Sequence, residues 1–319
     1  MAASRPQDPL LSIVIPVLDE EACIEELMQR LEAVLGDSGM RREILFVDDG
    51  SRDATPRIVA GLQSADSAVR LVRFTRTFGH QAALAAGLRF ARGDVVITMD
   101  GDLQHPPERI PDLVEAWRRG ADVVHTVRQL PPGARRDAKE RAGRAFYRLM
   151  ATLTRVPIVP AGADFRLLDR RAVDAFNALE EHFVFIRGLV PWLGFREETL
   201  AFEVDRRFAG RSKYRLRPML RLALDGIFAF SVLPLRLITV LGLLTTLAGV
   251  GYGIFWLASY FSGRIGEAGW TSLVVLVLVF GGVQLLSLGI VSEYVGRTYE
   301  EVKRRPRYVI DYVRGPGPP

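Results

Sequence analysis

The sequence predicts an α/β domain with a mostly parallel sheet, followed by a membrane-surface helix and a two-helix transmembrane hairpin. Three observations carry this expectation. Short runs rich in Val and Ile alternate with helical patterns through the first half of the chain, which is the pattern of βα units. Leu237 to Phe261 and Trp270 to Ser292 contain no Asp, Glu, Lys or Arg; as helices they reach roughly 37 and 34 Å, against a bilayer core of about 30 Å. The 319 residues exceed what one ordinary α/β domain requires.

The elements follow in order. Residues 1–10 are expected to be a flexible N-terminus and residues 11–214 a cytosolic catalytic domain. Leu11 to Val17, Glu43 to Val47, Arg70 to Phe74, Asp94 to Met99 and Asp122 to Val127 read as strands. Between them Glu20 to Leu35, Thr55 to Gln63, Gln81 to Ala91 and Pro107 to Arg119 read as helices. The basic stretch Arg135 to Thr154 and the segment Asp169 to Leu179 read as further helices, and Glu197 to Val204 as another strand.

Residues 215–232 interleave Arg215, Arg217 and Arg221 with Leu216, Met219, Leu220, Leu222, Leu224, Ile227 and Phe228. That pattern suits a helix lying in the membrane surface and equally an amphipathic helix packed on the catalytic domain. Residues 233–293 form the hairpin and 294–319 a cytosolic tail. Arg211, Lys213, Arg215, Arg217, Arg221 and Arg236 precede the first span, and Arg297, Lys303, Arg304, Arg305 and Arg307 follow the second. Since Lys and Arg concentrate in cytoplasmic flanks, the catalytic domain and both termini are expected in the cytoplasm, in a cell-membrane protein with two spans. The early run Leu10 to Leu18 is short and broken by Pro16, unlike a secretory signal.

The formal charge of +5 is spread along the chain and densest beside the spans, so anionic membrane lipids are the expected partner and nucleic acid is not. Cys23 is the sole cysteine, which excludes an internal disulfide and a cysteine-based metal cluster.

The chemistry collects at the strand ends. Asp100-Gly101-Asp102-Leu103-Gln104-His105-Pro106 follows the fourth apolar run. Alternation lets the two carboxylates point the same way at the carboxyl end of a strand, where open α/β sheets place ligands. Hard oxygen ligands suit Mg2+ or Mn2+ on a diphosphate; the alternative is a turn whose aspartates cap the next helix. No G-x-G-x-x-G follows the first strand and no Walker loop is present, which leaves a mononucleotide gripped by carboxylates and a metal. Asp48 or Asp49 can accept from base or ribose, one of the two serving only the turn.

The set Ile15-Pro16-Val17 with Glu20, Val47-Asp48-Asp49-Gly50-Ser51 with Asp53, Phe78-Gly79-His80-Gln81, Asp100 to Pro106 and Asp164-Phe165-Arg166-Leu167 resembles the GT-A family 2 glycosyltransferases. Within them it is similar to the polyisoprenyl-phosphate branch, which holds dolichol-phosphate mannose synthase and the bactoprenol glucosyltransferases. The resemblance covers the chain from Leu11 to about Val309. It implies an inverting, metal-dependent transfer of a hexose, glucose by preference, from a UDP-linked donor to a polyprenyl phosphate, with a GDP-mannose-dependent mannose synthase as the alternative. A membrane scaffold that keeps the fold without chemistry is a second alternative, opposed by the intact Asp100, Asp102, Gln104 and Lys213.

The resemblance also implies site residues. Pro16, Leu18, Glu20, Asp48 and Asp100 would hold the nucleoside, together with Arg128; Asp100, Asp102 and Gln104 would hold the metal. Arg207, Ser212 and Lys213 would close on phosphates, with Lys139 and Arg141 as acceptor-phosphate contacts. Asp164 would sit at the sugar and acceptor as a candidate base, as a positioning group, or as a structural partner of Arg166 or Arg187. His80 would line the donor pocket or cap its helix. Asp19 and Thr77 stand where the family more often has Asn, which bears on sugar and base selectivity. A homo-oligomer, tetrameric in relatives, is implied. A separate flippase and a downstream glycosyltransferase are expected, because the far-side loop of Ser262 to Gly269 is too short for a translocation domain.

Overall fold

A computed structural model describes residues 5–36, 39–129, 162–181, 184–203, 231–262 and 270–317. The first unit takes in Met1–Leu216 and Pro306–Pro319. Its elements are β1 (Leu11–Val17), α1 (Ile24–Leu35), β2 (Arg42–Asp48), α2 (Thr55–Ala65), β3 (Val69–Phe74), α3 (His80–Phe90), β4 (Val95–Thr98), α4 (Ile110–Arg118), β5 (Val123–Gln129), β6 (Gly162–Asp169), α5 (Arg170–Asn177), α6 (Ile186–Trp192), β7 (Glu197–Glu203) and β8 (Ile310–Arg314). The eight strands form one sheet in the order β7-β5-β6-β4-β1-β2-β3-β8.

β1 pairs in parallel with β2 and β4, and β2 with β3. These strands read as continuous apolar runs because helices cover both faces of a parallel sheet; every residue of β1 and β4 is buried. β6 enters antiparallel between β4 and β5, and β8 closes the far edge antiparallel to β3.

Four differences from the sequence reading have local causes. α1 starts at Ile24, four residues later than expected. Asp19 has φ +56°, and the Glu20 and Glu21 N–H groups donate to Thr55 Oγ1 and Asp53 Oδ2 of the next loop. The expected helix from Pro107 begins as a 3-10 turn over Pro107–Arg109, because Pro111 lacks the N–H that would bond back to Pro107. β6 was not expected as a strand: Asp164 and Arg166 interrupt its apolar alternation, and their burial depends on pairing with each other. β8 lies in what was read as a tail; it buries its edge against β3, so the chain after the hairpin returns to the catalytic sheet.

The second unit is Arg217–Arg305. It contains α7 (Leu233–Phe261) and α8 (Trp270–Val302), both long and apolar enough to cross a membrane. α8 continues about ten residues past the expected span end. Its final turns carry Glu293, Arg297, Glu300 and Lys303, which form i,i+4 and i,i+3 ion pairs of the kind that extends a helix in water. The expected helix 135–154 and nearly all of the expected surface helix 215–232 lie outside the described residues, as do Lys139, Arg141, Arg207, Ser212 and Lys213.

Candidate active site at the carboxyl ends of the parallel strands

Register brings the candidate residues to one edge. Val17 of β1 stands opposite Asp48 of β2, and Val14 opposite Thr98. Thr98 in turn faces Arg166 of β6, so Asp100 and Asp164, two residues further along the antiparallel pair, face one another. His80 at the start of α3 confirms it: its Nε2 lies 3.5 Å from Asp100 Oδ1 and 3.4 Å from Asp164 Oδ2.

The loops after β1 and β2 are zipped together by side chains. Asp19 N–H donates to Ser51 Oγ at 3.0 Å, and Arg52 N–H to Asp19 Oδ1 at 2.8 Å. Ala54 N–H donates to Glu21, and Thr55 N–H to Asp53. Glu20, Asp19 and Asp53 therefore shape the wall in which Pro16 and Leu18 sit; Pro16 is buried and Leu18 half-buried. The two neighbouring aspartates divide their work. Asp49 accepts from the N–H groups of Phe78 and Gly79 at 2.7 and 2.9 Å, anchoring the entry to α3. Burial pushes its pKa up, partly offset by those N–H groups. Asp48 accepts from Ser51 N–H at 2.9 Å through Oδ1, while its buried Oδ2 has no hydrogen-bond partner and lies 3.3 Å from Arg73 Nε. Asp49 thus spends its carboxylate on the start of α3, while Asp48 closes its own turn through Oδ1 and turns Oδ2 toward Arg73.

The carboxylate loop is held by His105. Asp100 N–H donates to His105 Nδ1 at 2.9 Å, and the fully buried ring stacks on Phe165 with centroids 5.4 Å apart. Burial lowers the His105 pKa, so the ring is neutral with its proton on Nε2. Leu103 takes φ +62°, a left-handed conformation costing about 1–2 kcal/mol in an L-residue. Such strain persists where surrounding contacts over-determine the loop. Gly101 passes Val17 so closely that a Cβ would lie 3.0 Å from its Cγ1.

These residues suit a divalent ion. Asp100 Oδ1 is buried with no hydrogen-bond partner, Asp102 and Gln104 are half-buried on the same loop, and all three offer hard oxygens. No group of three or more His, Cys, Asp or Glu able to hold a metal occurs among the described residues. A magnesium-type ion draws only one or two carboxylates from the protein and shares substrate phosphates and water.

Asp164 is enclosed by cations. Arg187 of α6 grips it with Nε 3.0 Å from Oδ1 and Nη2 2.7 Å from Oδ2, and Arg166 Nη2 adds a contact of 2.9 Å to Oδ1. Burial alone would raise its pKa, but Arg187, His80 and Arg166 hold the carboxyl well below the usual range. A carboxylate so held is a poor proton acceptor near neutral pH. The geometry makes Asp164 an ion-paired carboxylate that ties α6 to β6. Desolvation against its neighbours lowers the His80 pKa, yet Asp164 and Asp100 outweigh this and raise it. Gln81 Oε1 accepts from Ile186 N–H at 3.0 Å, tying α3 to α6.

Arg128 lies exposed toward the end of β5, near enough for its charge to act on His105. Sequence reading did not find the roles of Arg73 and His105. A register drawn through β2 and β3 would have placed Arg73 beside Asp48; His105 stands in the Asp100 to Pro106 motif, but its packing on Phe165 is a tertiary contact.

The mostly parallel sheet with the Asp100-x-Asp102 loop beyond β4 is the arrangement expected of a GT-A glycosyltransferase, and comparison with known proteins bears out the class. The chain belongs to glycosyl transferase family 2, which its residues 12–176 match, and residues 233–298 match the GtrB C-terminal hairpin. It is 40% identical over 301 residues to the uncharacterized glycosyltransferase YkcC of Bacillus subtilis (strain 168), covering 94% of this chain and 92% of that one. It is 36% identical over 304 residues to the prophage bactoprenol glucosyl transferase homolog of Escherichia coli (strain K12), covering 95% and 99%. Glucosyl-3-phosphoglycerate synthase from Mycobacterium tuberculosis, solved with Mn2+, UDP and phosphoglyceric acid, aligns at 21% identity with a TM-score of 0.48, covering 69% of this chain and 76% of that one.

Proposed function

We propose that this enzyme transfers a hexose, glucose by preference, from a UDP-linked donor to a polyprenyl phosphate at the cytoplasmic face of the membrane. The observation that carries the reading is the Asp100-x-Asp102 loop at the same sheet edge as Asp48, in a chain that also holds two spanning-length apolar helices. The bactoprenol glucosyl transferase names of relatives that match almost the whole chain support the acceptor. Basic flanks on the outer ends of both apolar runs support the orientation.

Nucleoside binds between Pro16, Leu18, Glu20 and Asp48. An oxygen of the acceptor phosphate attacks the anomeric carbon from the face opposite the diphosphate, the carbon–oxygen bond to the diphosphate breaks, and the sugar inverts. The lipid phosphate is largely ionised at neutral pH, so the step needs no strong base; this agrees with the ion-paired state of Asp164, which fixes Arg187 and His80 beside the sugar. A magnesium or manganese ion on Asp100, Asp102 and Gln104 would supply Lewis-acid charge to the leaving diphosphate. Arg128, Arg207, Ser212 and Lys213 complement its charge, and Lys139 and Arg141 that of the acceptor phosphate. The short loop between the spans leaves flipping of the product to a separate flippase. Homo-oligomer contacts through the hairpin belong to the same reading.

The test incubates the purified full-length enzyme with undecaprenyl phosphate, Mn2+ or Mg2+ and a panel of UDP- and GDP-sugars, with glycolipid read by mass spectrometry. One productive UDP-hexose is expected. Productive GDP-mannose would instead make it a mannose synthase, and full activity of Asp102→Ala would remove the metal assignment.

A further inference from the structure

Asp48, Arg73 and Tyr312 stand directly opposite one another on three adjacent strands. Asp48 of β2 pairs with Arg73 of β3, and Arg73 with Tyr312 of β8. Directly opposed residues share one face of a sheet, so the three side chains form a row, and their contacts follow it. Arg73 Nε lies 3.3 Å from Asp48 Oδ2, and Arg73 Nη2 donates to the Ser51 carbonyl at 3.2 Å. The Arg73 guanidinium carbon sits 5.9 Å from the centroid of the Tyr312 ring, within cation–π range. Tyr312 itself packs against the core, and the Arg314 guanidinium carbon also lies 5.8 Å from its ring centroid. The Tyr312 phenol and the Asp48 carboxylate both raise the Arg73 pKa.

The strand that supplies Tyr312 is well anchored. Tyr308 stacks on Phe74 at 4.9 Å and 10°, and Thr75 N–H donates to the Val309 carbonyl at 3.0 Å. Beyond the strand, the carbonyls of Pro316 and Gly317 accept from Arg70, and Gly317 also from Arg92. Arg70 is itself held by buried Glu43. The segment that follows the hairpin is thus built into the sheet beside the nucleotide end of β2.

We propose that Arg73 and Tyr312 are positioning residues for nucleotide recognition: Tyr312 orients Arg73, and Arg73 aims Asp48 and the Ser51 carbonyl at the nucleoside. The inference rests on the placement of the nucleoside at Asp48 under the proposed function. Through it, the chain beyond the membrane hairpin contributes to the donor site. Arg73 and Tyr312 touch no reacting atom, so their loss acts on binding and leaves the chemical step alone.

The test uses full-length enzyme in detergent, with UDP and Mn2+ as the titrated probe, donor kinetics, and a thermal melt for each variant. Arg73→Gln and Tyr312→Ala are each expected to raise the UDP Kd and the donor KM about tenfold, the loss of one charge-assisted contact, with kcat within about twofold. Their double variant is expected to be little worse than Arg73→Gln alone, because both act through one chain of contacts. Arg73→Lys keeps the charge without the fork and guards against a folding defect; it is expected to fall between parent and Arg73→Gln. Asp48→Asn separates the two layers of argument. If it leaves UDP affinity unchanged, the nucleoside placement fails and takes this inference with it. If Asp48→Asn weakens UDP while Arg73→Gln and Tyr312→Ala do not, only the relay is overturned. A fall in kcat and melting temperature at constant KM would also overturn it.

Discussion

Replacing Asp164 by Ala should damage the fold before it reports on chemistry. The carboxylate is almost fully buried and carries the charge opposite Arg166, whose side chain is only 2% exposed. Without it, among the described residues, Arg166 keeps carbonyl contacts to Ala163 at 3.1 Å and Ile186 at 3.5 Å and no counter-charge at hydrogen-bond distance. Breaking a buried pair by removing one partner costs about 3–5 kcal/mol. At about 2–4 °C per kcal/mol for a domain of this size, the melting temperature should fall by roughly 6–20 °C. Arg187→Met should cost less, because Arg187 is partly exposed and Arg166 still meets Asp164. The pair Asp164→Ala with Arg166→Met should recover part of the loss, since an apolar replacement of a buried pair is often tolerated. The assay is thermal unfolding of the full-length protein in detergent, followed by near-UV circular dichroism. An Asp164→Ala melt within about 2 °C of the parent, or a double variant less stable than the single, would refute the reasoning.

Gly50→Ala should destabilise by at least about 1–2 kcal/mol: Gly50 has φ +79° and its Cβ would lie 2.8 Å from the Arg76 backbone carbon. Weaker UDP binding should accompany the lower melt, and an unchanged melt would contradict the loop geometry. Asp49→Ala should release the Phe78 and Gly79 N–H groups and cost about 1–3 kcal/mol, visible as faster amide exchange at the start of α3; unaltered exchange there would remove the anchor role. Stability should also depend on acid in a definite sense. The folded-state pKa of Asp164 is depressed, so its contribution is present above the unfolded value of about 3.9 and lost as pH falls through the folded one. Glu108, held down chiefly by Arg30, acts in the same direction but is about half exposed and counts for less. Asp49, with its raised pKa, opposes them weakly. Melting temperatures should therefore drop below about pH 4, with a shallower drop in Asp164→Asn; an equal drop in that variant would reassign the effect.

Much of this architecture is local in origin. Strands β1 to β5 are runs of apolar residues whose burial on both faces needs no partner to be recognised, and the uncharged lengths of α7 and α8 follow from residue count alone. The Asp100-x-Asp102 spacing likewise shows in the chain, because alternation along a strand decides where the side chains go. What the sequence could not show depends on residues far apart. Asp164 and Arg166 look like breaks in a strand until the fold buries them against one another and against Arg187, on a helix that no periodicity marked. Asp48 and Asp49 are equivalent in sequence and separate only when the start of α3 takes one and Arg73 faces the other. Ile310 to Arg314 resembles an exposed tail until β3 offers it an open edge. Burial of charge and closure of a sheet edge are energies of assembled surfaces, so tertiary structure alone decided them.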